Sequence, residues 1–514
     1  MSNHKTTRRE TNSPNARNPF DIFRRLASAL FLLSCAALTI SAEPLEAKIE
    51  IVSTNPARVR VEGRREGGAT AWSFRKSYAS VIGLEKRIEN LSLADGQGAQ
   101  VAARQLAPGE FEAERPATRF SYVLKLDPPD FVTDSPHVSW LAGEYGLLML
   151  GDVLPLSTPE AQVSLILPAG WSVSSSEERD AAGRFIIADA ERAVFAVGRG
   201  LRERRGRAGG MEFLFASAGE WAFADEEATE VLGELLKEHE KVLGGAPRRR
   251  VSVALMPLPR PGGANVWAAE TRGATVTLVS GRLPSKLAAL AQLGGALTHE
   301  ALHLWVPNAL ALEGEYDWFY EGFTNYQALR VGMRREQLRF QDYLNALGRA
   351  YDSYKSARGP RELSLTEASR RRWSGSPALV YHKGMLVAFL YDLTLMHGTG
   401  GKSSLDDVYR ELFRRFGGGQ SREDANAAVA GLLGRMAGMR EFTERFVQSA
   451  TPINLAEAVA PFGLVVEPGG ARTHVGVAAS LDRPQRELLR KLGYNEKLEA
   501  ESRELRQRMR RRQE

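Results

Sequence analysis

The chain has 514 residues, 43% hydrophobic and 25% charged, which excludes a disordered polypeptide and leaves room for two or three packed domains. Its net charge is +6, yet residues 1–25 hold six Lys/Arg against two acids and residues 490–514 hold nine against five. The basicity belongs to the two ends, so the middle has no bulk electrostatic case for nucleic acid.

At the N-terminus the positive ARNPFDIFRR precedes the apolar LASALFLLSCAALTISA, and Ser41 and Ala42 are small enough for a leader-peptidase site before Glu43. This pattern predicts an export signal over residues 1–42 and a periplasmic or extracellular protein. The apolar run, roughly 17 residues, is also at the lower limit for a spanning helix, so a retained anchor is the alternative. The sole cysteine, Cys35, lies inside it. LLSC is a weak lipoprotein box, and a mature chain without this segment has neither disulfides nor thiolate chemistry.

Residues 43–205 alternate polar and apolar positions in short runs such as RFSYVLKL, QVSLILP and RAVFAVGRG, separated by Gly/Pro/Asp turns. They predict a sandwich-like β domain. The Gly-rich, basic RERRGRAGG at 202–210 reads as a linker or exposed turn. From 206 to 465 the pattern becomes mixed and then helical. The charged EEATEVLGELLKEHEK reads as a solvated helix face that includes His239, and the strand-like RRVSVALMPL and GATVTLVS follow. Residues 466–514 are expected to form a C-terminal segment and an exposed basic helical tail. The fold class expected is multi-domain α+β.

The stretch LTHEALHLWVPNALALEGEYDWFYEGFTNY, residues 297–326, carries the chemistry. Pro284 and Ser285 suit a helix start, leucines at 287, 290, 293 and 297 recur at helical spacing, and Pro307 disfavours continuation past Val306. His299 and His303 are four residues apart, so their rings leave one face of the helix and can meet one metal ion. Glu300 lies about 100° round, too far to ligate but within reach of a water beside the ion. A catalytic zinc site needs three protein ligands. Val306 and Ala309 occupy the positions where a longer motif would place Gly and a third His, so the third donor is a carboxylate. Of Glu313, Glu315, Asp317 and Glu321, only Glu321 opens a new amphipathic segment, EGFTNYQALRVG. Zinc held by two imidazoles and a carboxylate supplies a Lewis acid and lowers the pKa of a bound water toward about 7. Glu300 between the ligands suits a proton shuttle. One zinc per chain is expected.

HEALHLW, then EGFTNY beginning 18 residues after His303, then YHKGMLVAFLYDLTLMHGTGGKSSLDDVYREL from Tyr381, together resemble the glycyl aminopeptidase family of gluzincin metallopeptidases. More distantly they resemble the aminopeptidase N family. The resemblance spans roughly residues 210–465. It implies a thermolysin-like α/β catalytic domain with a helical lobe, preceded by the β domain. It also implies His299, His303 and Glu321 as zinc ligands, Glu300 as general base, Tyr381 as oxyanion stabiliser and peptides as substrates.

Two features depart from the family. The PDZ domain that its members often carry has no room after INLAEAVAPFGLVVEPGG. The G-x-x-E type motif, whose glutamate holds a substrate's free amine, is split here: PGGANVW has glycines without the acid, and AAETRGATVTLV has Glu270 without the glycines. Glu270 is the favoured candidate, and without it an endopeptidase replaces the aminopeptidase. A different zinc hydrolase on this scaffold, or a non-catalytic binding protein, are the other readings, although all the expected site residues are present. His382 and His397 read as structural or solvated. A weak membrane contact through the N-terminal segment or the basic tail is the one non-peptide interaction the sequence allows.

Overall fold

A computed structural model describes residues 45–156, 158–357, 363–372, 376–419, 423–467 and 472–498. The leader read in residues 1–42 lies outside them, as does the far end of the basic tail. Among the described residues no helix is long and apolar enough to cross a membrane.

The architecture is α+β with several sheets. Leu45–Thr54 and the start of Ala57–Ser73 bury every second residue, the period of a half-buried strand. Their register pairs Ile49 with Val61, and Val61 pairs in turn with Tyr122. These strands belong to a nine-stranded sheet. A four-stranded sheet, which includes Tyr145–Met149 and Val194–Arg199, contributes Leu148, Phe195 and Val197 to the same apolar core as Val59 and Tyr122. Its other face, Trp140, Leu147 and Met149, packs on Ala254, Met256 and Val279 of a third sheet. Alternation therefore buries the four-stranded sheet on both faces, and it joins the β-rich half to the rest.

The third sheet has the strand order Arg202–Ala208, Met211–Ser217, Arg250–Pro257, Thr275–Ser280 and Trp267–Arg272. Its inner pairings are parallel and its outer ones antiparallel, so Trp267–Arg272 is an edge strand. Against it pack the helices Asp225–Leu243 and Lys286–His303, followed by a helical lobe sharing the largest core.

Three expectations are corrected here. RERRGRAGG is not a linker: Arg202–Ala208 is an edge strand paired with Met211–Ser217, and Gly209 and Gly210 make the turn. Its arginines are held by acids, Arg202 by Asp225 and Arg204 by Glu226, which hid the strand behind a charge run. His239 is not on a solvated face. It is fully buried on the stripe with Leu232, Leu235, Leu236, Val242 and Leu243, and its ring lies 6.0 Å from that of Trp305. The tail is not a simple exposed helix either. Arg483–Lys491 buries Leu488 and Leu489, while Leu492 and Tyr494 follow them into the helical core, the Tyr494 ring 5.2 Å from Phe340.

Candidate functional site

Ser285 caps the motif helix by accepting from the Ala288 N–H, and the helix ends at His303. Asn308 ties that end down, donating to the carbonyls of Thr271 and His303 and accepting from the Gly273 N–H. The edge strand and the histidine helix are thereby fixed to one another. Thr271 completes the join, its hydroxyl 2.9 Å from Glu300 Oε2 and 2.8 Å from the Glu300 carbonyl.

Glu321 lies in a π-helical turn, Trp318–Phe323, that runs into the helix Thr324–Arg334. Tyr381 lies in a second π turn, Leu379–Lys383, that runs into Gly384–Gly398. The turns touch backbone to backbone at two glycines. A Cβ on Gly322 would stand 2.6 Å from the Gly384 Cα, and one on Gly384 would stand 2.7 Å from the Trp318 carbonyl oxygen. This explains why glycine follows the acid in EGF and the lysine in YHKG: any side chain would separate Glu321 from Tyr381.

The three donors converge. His299 Nε2 is 3.0 Å from His303 Nε2, and Glu321 Oε2 is 3.5 and 3.6 Å from them. Ligands about 2.0–2.2 Å from one tetrahedral ion stand roughly 3.3–3.6 Å apart, so the set fits zinc with modest adjustment. His303 Nδ1 is 2.9 Å from the Val306 carbonyl. Donation there fixes the tautomer that turns the Nε2 lone pair toward the shared point. Among the described residues this is the one group of three or more donors positioned for a metal.

In the metal-free protein burial and the Glu321–imidazole pairing shift these groups in opposite directions. Burial alone would raise the Glu321 carboxyl, but the two imidazoles hold it well below the usual carboxylate range. Burial pulls His303 down, and Glu321 more than offsets this, lifting it to about 9 in the metal-free protein. Burial with Glu321 nearby pushes the Tyr381 phenol far above its normal value. Tyr381 therefore keeps its proton at any working pH and can donate it.

All six residues expected from the sequence line one cleft of about 1040 Å³. Glu270 is there, but its carboxylate is already engaged. Tyr78 donates to one oxygen, His137 Nδ1 lies 2.8 Å from the other, and Arg272 Nη2 is 3.5 Å away. The Arg272 guanidinium also stacks 3.9 Å over the Tyr78 ring. Burial raises the Glu270 carboxyl, yet Arg272 and His137 bring it below its usual value, so it stays charged. Tyr78 and His137 come from the β-rich half, more than 130 residues earlier, and no local motif marks them. The sequence also missed Thr271, Asn308 and Arg372, the last inside the run Arg370–Arg371–Arg372, which reads as solvated charge.

The α+β architecture with several sheets matches the folds of aminopeptidase N-like proteins. A solved aminopeptidase N family protein from Idiomarina loihiensis superposes with a TM-score of 0.71 at 17% identity, over 82% of this chain and 79% of that one. An M1 zinc metallopeptidase mutant from Deinococcus radiodurans gives 0.53 at 14%, over 80% and 95%. The same Deinococcus enzyme bound to a Tyr-Ser-Ala substrate gives 0.52 at 14%, with the same coverage. Residues 293–387 match the M61 glycyl aminopeptidase family, a segment containing His299, His303, Glu300, Glu321 and Tyr381. The family that the motifs resemble is thus the one whose model matches the segment carrying them, and family and fold together support a metallopeptidase of the aminopeptidase type. No curated protein matches the chain.

Proposed function

We propose that this protein is a zinc-dependent peptide hydrolase of the aminopeptidase type, with His299, His303 and Glu321 holding one zinc ion. The observation that carries the reading is the convergence of those three donors in a cleft also lined by Glu300 and Tyr381. Bound zinc supplies a Lewis acid and acidifies water at neutral pH. Glu300 is held by Thr271 beside the donor set without joining it. It takes a proton from the attacking water and returns it to the leaving amine. Tyr381, protonated at every working pH, donates to the oxygen that gains charge as the peptide carbon becomes tetrahedral. The edge strand Trp267–Arg272 borders the cleft and orients the peptide.

In this reading a sandwich-like β domain runs from residue 43 up to the strand Arg202–Ala208, which already belongs to the sheet of a thermolysin-like catalytic domain extending to 465. A C-terminal segment, 466–514, follows, of which Arg483–Lys491 docks on that domain, and residues 1–42 are an export leader or anchor. The peptide-bound Deinococcus relative supports a peptide as substrate. Glu270 is proposed to meet the substrate's free amine. Its three existing partners also favour a second reading, in which the amine is not required and cleavage occurs within the chain.

The test is cleavage of a mixed peptide library by zinc-loaded protein with and without a chelator. The aminopeptidase reading expects single residues released from free N-termini, all of it chelator-sensitive and restored by zinc. Chelator-sensitive internal cuts would replace it by the endopeptidase reading, and chelator-insensitive cleavage would remove both.

A further inference from the structure

Arg372 joins the two π turns at the reaction centre. Its Nη2 lies 3.2 Å from Glu321 Oε1 and also donates to the Tyr381 oxygen. Its Nη1 donates to Asp317 and lies 3.2 Å from the Tyr320 oxygen. Tyr320 in turn donates to Asp317 at 2.6 Å. Asp317 is buried and the Arg372 side chain is only 14% exposed. One planar fork therefore spans four acceptors: Asp317 just before the first turn, Tyr320 and Glu321 within it, and Tyr381 from the second.

Two consequences follow from donor and acceptor counting. Glu321 has two oxygens; with Oε1 engaged by the guanidinium, Oε2 is the one that faces both imidazole Nε2 atoms. Tyr381 has a single proton. Because its oxygen accepts from Arg372, that proton is directed away from the guanidinium, and in the metal-free protein it is shared with Glu321, a carboxylate that a bound ion would engage instead. Arg372 could instead clamp a substrate carboxylate, as exposed arginines do. Both of its terminal nitrogens are already committed, which argues against that role.

We propose that Arg372 is a positioning residue that orients Glu321 for the metal and aims the Tyr381 hydroxyl at the substrate carbonyl oxygen. This rests on the peptidase reading for Tyr381 but not for Glu321. Lysine keeps the charge without the two-pronged geometry, so Arg372→Lys and Arg372→Met separate the two.

The experiment uses the full chain. By chelator competition, Arg372→Met is expected to bind zinc about tenfold or more weakly, the usual cost of removing a partner that orients a ligand. With zinc saturating, Arg372→Lys is expected to lower kcat about 10²-fold with KM within about twofold, a transition-state effect. In a Tyr381→Phe background the same change is expected to cost less than about threefold, because the group it acts through is gone. Equal losses in both backgrounds, a loss carried by KM, or unchanged zinc affinity in Arg372→Met would each overturn the proposal. So would a wild-type preference for free over amidated C-termini that Arg372→Lys abolishes, which would make Arg372 a substrate anchor. Should Arg372→Met fail to fold, Arg372→Lys carries the zinc titration as well. If the wild type binds zinc but cleaves no peptide, the peptidase reading fails, while the zinc arm still decides the hold on Glu321.

Discussion

The two ends of the cleft hold their charged groups in opposite ways. At one end His299, His303 and Glu321 turn three donor atoms toward a single point. At the other, Glu270 spends its oxygens on Tyr78, His137 and Arg272. The first arrangement brings donor atoms together on one another, and the second places its oxygens on groups that donate to them. Three donors crowded this closely, with His303 and Glu321 buried and His299 half-buried, are stable together only if a cation or shared protons hold them. A carboxylate already neutralised by a guanidinium exerts little additional pull on an ammonium. Under the proposed function the first end takes an ion from outside, whereas the contacts of Glu270 tie Tyr78 and His137 of the β-rich half to the edge strand.

The largest expected effect breaks the metal end outright. His303→Ala leaves two of three ligands, so bound zinc should fall from one per chain to near none, and hydrolysis with it, as read by metal analysis and turnover on the same sample. Full occupancy in that variant would mean the ion sits elsewhere. Tyr381→Phe should keep zinc and lower kcat by about 10²–10³, with little change in KM, if the hydroxyl acts only on the developing charge. A change in melting temperature alone would make Tyr381 a packing residue.

The other end sharpens the comparison with a smaller effect. If Glu270 also meets a substrate amine, a free peptide should exceed its acetylated twin in kcat/KM by about tenfold or more, because a built polar site left unpaired rejects the analogue. Glu270→Gln should then narrow that gap without abolishing cleavage. If both peptides are cleaved equally by the wild type, Glu270 is a fastening residue and nothing more. Tyr78→Phe distinguishes these roles further, since it loosens the fastening while leaving the carboxylate in place.

The smallest effect concerns stability rather than chemistry. Burial, helped by Arg334, depresses His239 to about 3, below its unfolded value near 6.5. Between those values the unfolded chain binds the extra proton, so this contribution is fully present above about pH 6.5 and is lost as pH falls toward 3. Glu177, which burial raises to about 7, slopes the other way in this window, so the readout is a difference: between about pH 6.5 and 5 the melting temperature of zinc-free wild type should fall relative to that of His239→Leu. A gap between the two that does not change with pH would remove His239 from the balance.

What could be read in the sequence was what depends on local spacing. The four-residue interval from His299 to His303 fixes one helix face, the apolar pattern after Glu321 marks a helix, and alternation marks the strands of the β-rich half. Groups brought in from a distance left no such trace. Tyr78 and His137 reach Glu270 across more than 130 residues, and Arg372 sits in a basic run indistinguishable from a solvated surface. His239 was obscured by its charged neighbours, although it falls on the apolar stripe of its own helix. The docked helix Arg483–Lys491 carries only a few leucines among many charges, too few to mark a buried face. Even the YHKG motif showed its tyrosine without its physical reason. Its glycine is explained only by the backbone contact with Gly322.

The most direct test of the account is Glu300→Gln, with zinc content and peptide turnover measured on the same preparation. The amide keeps the shape and the bond to Thr271 but cannot accept the proton. The account predicts one zinc per chain, an unchanged fold, and turnover reduced by about 10²–10⁴. Wild-type turnover with zinc in place would contradict it, because Glu300 would then have no part in moving the proton.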